Sequence, residues 1–387
     1  MMTSRERLLA TMQGRAVDRP AVNFYEIGGI AADTGDPDPY NVYNSPDWKP
    51  LIELAEAKTD IIRMVSAVRE RSFDPGVVGA NSQVSGYFQE TCADDGHRRV
   101  TRLTVTAGGR VLTQETLRER ELNTVWTTEH LLKSAEDVEA YLTLPREAFA
   151  ETIDVSRLVA AESALGDRGL VMVDTEDPLC AAATLFSMED YTVLAYTERE
   201  LFLRLLDKMA GFILPRTEEV SRRFPGRLWR IYGPEYASAP YLPPELFREY
   251  VVRYVSPMAR AIQAHGGIVR IHSHGRLRGI LPLIDEMGVD ALDPIEPPPQ
   301  GDVALREVRE RYGRQWVLFG NLEVSDIETL PAPVFAEKVK RALDEGMAGP
   351  GRGFVLMPSA SPFGRHISPL CLKNYETMVE LAVGGSF

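Results

Sequence analysis

The stretch Gly267–Pro294 reads GIVRIHSHGRLRGILPLIDEMGVDALDP and shows the pattern that decides the fold. A short run rich in β-branched residues, GIVRIHSH, ends in a glycine turn. A helix-like segment follows over Leu277–Met287, and a second β-rich run begins at Val289. Strand, helix and strand in this order predict a parallel β-α-β unit, because parallel strands need a long crossover connection.

The same unit repeats on both sides of this stretch. The five β-rich runs of the second half are Arg227–Gly233, Gly267–His274, Val289–Pro294, Gln315–Gly320 and Gly353–Pro358. Three earlier runs fit the same template: Ala21–Glu26, Asp60–Val65 and Leu170–Asp174. Eight strands, most of them followed by a helix, favour an α/β protein with a closed (β/α)₈ TIM barrel over a doubly wound open sheet. We expect residues 1–387 to form a single domain.

Residues 81–128 do not follow this alternation of strands and helices. Polar and apolar positions alternate there, with turn signals at Ala93–Gly96 and Ala107–Arg110. Alternation with a period of two predicts strands, so we interpret the segment as an antiparallel β insertion after the second barrel strand. Such an insertion could cover the barrel mouth or mediate contacts in a homodimer. The next segment, Leu131–Leu144, predicts a helix that is capped by Ser134.

The charge balance excludes several classes of partner. The 387 residues include 43 Lys and Arg against 56 Asp and Glu, a net charge of −13. We therefore expect neither nucleic acid nor a membrane surface as partner, since both bind clustered cations. The three cysteines, Cys92, Cys180 and Cys371, lie far apart, as is typical of a reducing compartment. No apolar run approaches the about 18 residues of a membrane span, and we expect a cytoplasmic protein.

Polar side chains gather where the predicted strands end, which is where barrels of this type place their active sites. A single acid at the start of a loop is more often solvated or a helix cap, so the signal is the crowding of many such groups. We expect catalytic roles for Glu235, His366 and Asp174. We expect substrate contacts from Glu26, Arg63, Glu176, Tyr236 and Asn321.

The pair His272 and His274 is the sharpest of these signals. Side chains two positions apart on a strand share a face, so both imidazoles point the same way. If that face is the inside of the barrel, Val269 and Ile271 face the helices, and Arg270 faces inward and needs a carboxylate partner. The two imidazoles could bind zinc or another divalent metal, or they could be hydrogen-bonded histidines without a metal.

Four segments carry a family resemblance. Ser4–Val22 (SRERLLATMQGRAVDRPAV) is similar to the opening of uroporphyrinogen decarboxylase-like proteins, and Ile271–Asp302 is similar to their "H-x-C/H-G … L-I-E-x-G-V-D-x-L-x-P" segment. The similarity continues through Trp316–Leu322 (WVLFGNL) and Ser368–Val379 (SPLCLKNYETMV). It spans nearly the whole chain and is weakest between about residues 70 and 165. This resemblance implies a (β/α)₈ barrel, in agreement with the strand count.

Two chemistries occur among the proteins that this chain resembles. True uroporphyrinogen decarboxylases bind a tetrapyrrole with many carboxylates through an "R-Q-A-G-R" motif, whereas the equivalent stretch here is Asn23–Gly29 (NFYEIGG), without arginine. The other branch moves methyl groups between a corrinoid and a thiol or another carrier, in several cases with a zinc ion held by a His-x-Cys pair and a later Cys. Here His272 matches the first ligand, His274 replaces the first Cys and Ser359 replaces the second. A harder metal site completed by Glu235 or His366 stays open.

The resemblance therefore implies a methyltransferase or demethylase that acts on a small methylated substrate, with a possible corrinoid on a partner protein. Two alternatives remain. One is a metal-independent decarboxylase or lyase on a small carboxylated substrate, which would use Arg63, Arg270 and the mouth acids. The other is a tetrapyrrole-binding protein without catalysis. The crowd of polar groups at the strand ends favours an enzyme, because a passive apolar pocket does not need them.

Overall fold

The computed structural model describes residues 1–32, 34–71 and 87–384. Eight strands form one parallel sheet in the order β1–β14–β13–β12–β11–β10–β9–β2. The strands of the described chain are β1 Ala21–Val22, β2 Ile61–Val65, β3 Val68–Arg71, β4 Phe88–Asp94, β5 Arg98–Ala107, β6 Arg110–Glu119, β7 Val125–Glu129, β8 Glu151–Ile153, β9 Gly169–Glu176, β10 Leu228–Tyr232, β11 Ile268–Ser273, β12 Ala291–Pro294, β13 Val317–Leu322 and β14 Phe354–Pro358. All eight predicted barrel strands are present, and the TIM barrel is confirmed.

Helices follow most strands and cover the outside of the sheet. Their bounds are α1 Ser4–Met12, α2 Glu26–Gly29, α3 Trp48–Lys58, α4 Ala135–Leu142, α5 Ser156–Leu165, α6 Pro178–Ala183, α7 Met188–Thr197, α8 Arg199–Arg223, α9 Pro244–Phe247, α10 Arg253–Ala264, α11 Leu281–Glu286, α12 Leu305–Tyr312, α13 Val324–Thr329, α14 Ala332–Gly346 and α15 Pro369–Gly384. Ser134 caps α4 as predicted, its hydroxyl accepting a hydrogen bond from Asp137 N. No helix within the described part of the chain is both long and apolar enough to cross a membrane.

A buried ion-pair cluster joins the two ends of the curled sheet. Asp60, just before β2, accepts hydrogen bonds from Arg7 and Arg19, each at 2.7 Å, and its backbone N–H donates to Val22 O of β1 at 2.7 Å. Arg7 also pairs with Asp18 at 2.7 Å. The opening segment of the chain therefore has a structural role, because it holds β1 against β2.

Alternate strand positions fill the inside of the barrel. Helix α1 closes the N-terminal end, since Leu8 and Met12 join the inward-facing cluster. The other buried members of that cluster include Ala21, Ile62, Leu170, Met172, Leu228, Ala291, Val317, Phe319, Val355 and Met357. The apolar filling occupies the N-terminal end of the barrel, and the polar groups of the strands therefore lie toward the C-terminal mouth.

The insertion forms an antiparallel sheet of four strands, β4 to β7. The first residues of the predicted insertion, 81–86, lie outside the described residues. Gly108 and Gly109 form the two-residue turn between β5 and β6 with φ of 55° and 77°, which suits glycine in a tight hairpin. The sheet contacts two loops at the mouth side of the barrel, through Tyr40 after β1 and Phe363 after β14.

Candidate active site at the barrel mouth

Strand β11 points its polar residues into the barrel. Val269 and Ile271 are buried against the outer helices, while Arg270 and His272 take the inward positions. The parallel register places His272 opposite Asp293 of β12 and Tyr232 of β10. Hydrophobic alternation thus sets the direction of the imidazole, and of the two registers that the sequence allowed the inward one is present.

Asp293 is the centre of a buried charge cluster. Its carboxylate accepts two hydrogen bonds from the Arg270 guanidinium, at 2.5 and 2.6 Å, and one from His272 Nδ1 at 2.7 Å. The guanidinium also lies over the ring of Phe319, 4.2 Å from its centroid. Burial alone would raise the pKa of Asp293, but Arg270 and His272 hold it well below its usual range. Asp293 is the carboxylate partner that an inward Arg270 required.

The surroundings of His272 and His274 shift their pKa values in opposite directions. Their rings are in edge-to-face contact, with centroids 4.6 Å apart. Burial lowers the pKa of His272 despite the charge of Asp293. Burial also opposes protonation of His274, but its 2.8 Å hydrogen bond to Glu296 and the charge of that carboxylate outweigh burial and raise its pKa. Near neutral pH one ring can accept a proton and its neighbour can donate one.

Tyr25 connects these histidines to a second ion pair. Its ring stacks on His272 at 5.8 Å with an angle of 14°, and its hydroxyl is hydrogen-bonded to Arg230. Arg230 forms a two-pronged pair with Asp174, at 2.6 and 2.9 Å. Tyr25 has a φ of 58°, rare for an aromatic residue, and such strain is concentrated at functional sites. Burial raises the pKa of the adjacent Glu26, which feels the charges of Arg230, Asp174 and His274.

A second group of acids lies at the ends of β9 and β10. Glu235 accepts a hydrogen bond from Gly233 N at 3.1 Å, and its charge acts on His274. Glu176 pairs with Arg216 at 3.0 Å. Asp177 caps α6 through Cys180 N, and burial raises the pKa of its carboxyl well above the usual range. Tyr236 lies within electrostatic reach of Glu235 and Asp177.

The structure thus brings most of the predicted residues to one end of the barrel, but not all of them. Arg63 alternates with the inward-facing Ile62 and Met64, and it pairs with Glu56 of α3 at 2.9 Å on the outside. The His366 side chain is 83% exposed and pairs with Asp47 at 2.8 Å. Neither residue contacts the group around His272, and the predicted residue Asn321 lines a separate cavity beside the mouth.

Sequence reasoning missed five residues of this group: Tyr25, Arg230, Asp293, Glu296 and Glu323. Three of them stand at predicted strand ends, so the signal for their position was present, but their pairing depends on register and loop shape. Burial, together with the charge of Glu296, raises the pKa of Glu323 to about 7. Burial opposes ionisation of Glu296, but its hydrogen bond to His274 and the charge of that ring lower the pKa of its carboxyl.

The two imidazoles resemble metal ligands in one respect, since each Nδ1 is hydrogen-bonded to a carboxylate and Nε2 is left for other contacts. Within residues 1–32, 34–71 and 87–384, however, no three His, Cys, Asp or Glu side chains are placed to hold a metal ion. Ser359 donates a hydrogen bond to Glu323 at 3.2 Å. The described donor set therefore does not fit zinc.

One solved structure supports the barrel fold, and a family profile matches part of the chain. A methyltransferase from Methanosarcina mazei superposes with a TM-score of 0.57 and 15% identity, over 98% of each chain. The mannanase BCman from Bacillus subtilis gives a TM-score of 0.40 and 10% identity, over 99% of this chain and 94% of that one. No curated protein sequence gives a significant match. The profile of the family described as Uroporphyrinogen decarboxylase (URO-D) matches residues 120–363, more than half of the chain, and this protein therefore belongs to that family.

Proposed function

We propose that the protein is an enzyme that moves a methyl group between a small methylated substrate and a corrinoid or a thiol carrier at the C-terminal mouth of the barrel. The observation that carries the proposal is the contact between His272 and His274, whose surroundings shift the two pKa values in opposite directions. Methyl transfer needs both a proton donor and a proton acceptor when a heteroatom is released and a thiol attacks.

Each group has a definite task in such a reaction. When a methyl group leaves a substrate nitrogen or oxygen, that atom takes a proton, which His274 can supply from Nε2 while Glu296 holds Nδ1. When a thiol is the acceptor, neutral His272 can take its proton at Nε2, because Asp293 fixes the other nitrogen as a donor. Glu26, whose pKa is raised by burial, is a second proton donor on the opposite wall. A corrinoid, delivered by a partner protein, would be the methyl carrier.

The arginines of the barrel argue against the decarboxylase alternative. A substrate carboxylate needs a free cation, but Arg270 is paired with Asp293 and Arg230 with Asp174. Arg63 is paired with Glu56 outside the barrel. A buried arginine that already has a two-pronged carboxylate partner would have to give up that pair in order to bind substrate.

The direct test is methyl transfer by the purified protein. Methylcobalamin and a thiol are mixed with the protein, and loss of the methyl group is followed by visible absorbance; the reverse direction uses reduced cobalamin with methylamines, methoxylated aromatics and methyl thiols. We expect His272→Gln to slow the thiol reaction by about 10²–10⁴-fold, the usual contribution of a positioned base. Treatment with a chelator should leave the rate unchanged. The matched control is His265→Gln, because His265 lies in the turn after α10 and pairs with Glu218, far from the mouth.

Two results would contradict the proposal. The first is a wild-type rate equal to the rate without protein for every donor and acceptor in the panel. The second is release of carbon dioxide from a small carboxylic acid in the absence of any methyl carrier, which would favour the decarboxylase. Both assays are run on the same preparation, and circular dichroism confirms that each variant is folded.

A further inference from the structure

A separate cavity of about 220 Å³ lies beside the mouth, between the loop after β12, the end of β13 and helices α13 and α14. Its apolar walls come from Pro297, Pro298, Ala304, Leu305, Leu322 and Ala342, and Asn321 and charged side chains form the rest of its lining. A water molecule occupies about 30 Å³, so the cavity has room for a small organic molecule, although it is smaller than the pockets of about 300–1,000 Å³ that hold drug-sized ligands.

Glu323 is the unusual group in this lining. Its side chain is only 7% exposed, and its Oε2 accepts a hydrogen bond from Ser359 at 3.2 Å. Its other oxygen, Oε1, is buried and has no hydrogen-bond partner among the described residues. A buried polar atom without a partner is costly, and a missing ligand or water is a common reason for one.

The other charged side chains of the cavity are two carboxylates and two cations, and among the described residues only Lys338 and Asp326 form an ion pair with each other. Lys338 and Asp326 neutralise each other at 2.5 Å, and Glu345 accepts a hydrogen bond from Arg306 N at 3.2 Å. Arg341 lines the same cavity, and the described chain offers it no ion pair. The cavity is therefore lined by a buried carboxyl group with one unpaired oxygen and by a guanidinium that has no ion pair in the described chain, with apolar walls around them.

We propose that this cavity binds a small amino acid, with the ligand ammonium on Glu323 and the ligand carboxylate on Arg341. Opposite charges at two points select a zwitterion, because a simple cation leaves Arg341 unpaired and a simple anion would face Glu323. The apolar walls suit a short aliphatic linker. The cavity lies beside the methyl-transfer site and shares Glu323 with the group at the mouth, but the proposal does not rest on the proposed function.

Ligand binding beside Glu323 can be detected because it should change the number of protons bound to the protein. Burial and the charge of Glu296 raise its pKa to about 7, so part of the protein carries a proton there at neutral pH. An ammonium bound beside it favours the ionised carboxylate and expels that proton. Binding should therefore release protons at about pH 7, and it should release fewer at about pH 9, where Glu323 is already ionised.

The experiment is calorimetric titration of the full-length protein with glycine, β-alanine and γ-aminobutyrate, in two buffers that differ in ionisation enthalpy. These probes share both charged groups and differ in the length between them. Propionate and ethylammonium, which each lack one charged group, should bind at least about tenfold more weakly, since each loses one charge-assisted hydrogen bond. Failure of all three amino acids to bind at concentrations up to about 10 mM would overturn the proposal.

Variants assign the binding to this cavity. Glu323→Gln should abolish the proton release, and Arg341→Gln should weaken binding by at least about tenfold. Ala342→Phe should block the cavity without any change of charge. Arg260→Gln, the same substitution on the exposed surface of α10, is the control and should bind as the wild type does. Binding that persists unchanged in both Glu323→Gln and Arg341→Gln would overturn the proposal, and Arg341→Gln keeps the test valid if Ala342→Phe fails to fold.

Discussion

His272 Nδ1 lies 2.7 Å from Asp293 Oδ2, and the two residues are direct neighbours in the register of β11 and β12. The pair is buried, and Arg270 holds the same carboxylate from the other side. The position of the imidazole is therefore set by the register of the sheet and by the Asp293 carboxylate, which is buried away from water. Removing that charge tests how far the barrel depends on it.

Asp293→Asn should destabilise the protein by about 3–5 kcal/mol, because the Arg270 charge would remain buried without a counter-charge. Chemical denaturation followed by circular dichroism measures the change. Glu139→Gln is the control, since it removes a carboxylate from an exposed pair with Arg204 and should hardly alter stability. An Asp293→Asn variant as stable as Glu139→Gln would mean that the buried cluster contributes little to folding.

The two mouth histidines should titrate on opposite sides of the ordinary histidine pKa of about 6.5. His272 should lose its proton below that value because it is buried, and His274 above it because Glu296 stabilises the charged ring. Two-dimensional NMR of the imidazole protons measures both, with His272→Gln and His274→Gln used to assign the signals. Identical titration of the two rings would contradict the division of acid and base on which the proposed mechanism depends.

Much of the fold can be read from local sequence patterns. The strands are short apolar runs between turns, and period two along β11 predicted that Arg270 and His272 share the inward face. The same reasoning required a carboxylate for Arg270 but could not choose among the acids at the mouth. That choice depends on the register between β11 and β12, which no local pattern encodes, so the pairing of Asp293 with Arg270 was found only in the structure.

The same limit explains why Arg63 and His366 lie apart from the group around His272. Arg63 lies outside the barrel because Ile62 and Met64 occupy the inward positions of β2. The strand sequence IIRMV is compatible with either set of alternate residues facing inward. His366 follows β14, but its loop carries it to the surface beside Asp47. The burial of Glu323 likewise comes from packing between distant parts of the chain, which a strand-end position does not reveal.

Glu296→Gln should lower the free energy of unfolding, relative to the wild type, by more at about pH 6 than at about pH 9. The folded-state pKa of His274 is raised, so its stabilising interaction with Glu296 is fully present below the unfolded value of about 6.5 and is lost as the pH rises through the folded value. Denaturation of both proteins at the two pH values gives the difference. In the His274→Gln background the pH dependence of Glu296→Gln should shrink to the part that comes from Glu323, whose pKa burial and the charge of Glu296 raise to about 7. A pH dependence that is unchanged there would assign it to another group.

Glu26→Gln should lower kcat for methyl transfer by about 10²–10⁴-fold with little change in KM, because the amide keeps the shape of the side chain but has no acidic proton to give. Burial raises the pKa of Glu26, and His274, Arg230 and Asp174 lie within reach of its charge. Arg63→Gln is the comparison, since its guanidinium pairs with Glu56 on the outside of the barrel and its loss should change kcat by less than about threefold. Steady-state kinetics across pH should also show the loss of one ionisation in Glu26→Gln alone. Equal losses in the two variants would mean that Glu26 acts through the stability of β1 and β2 and not as a proton donor.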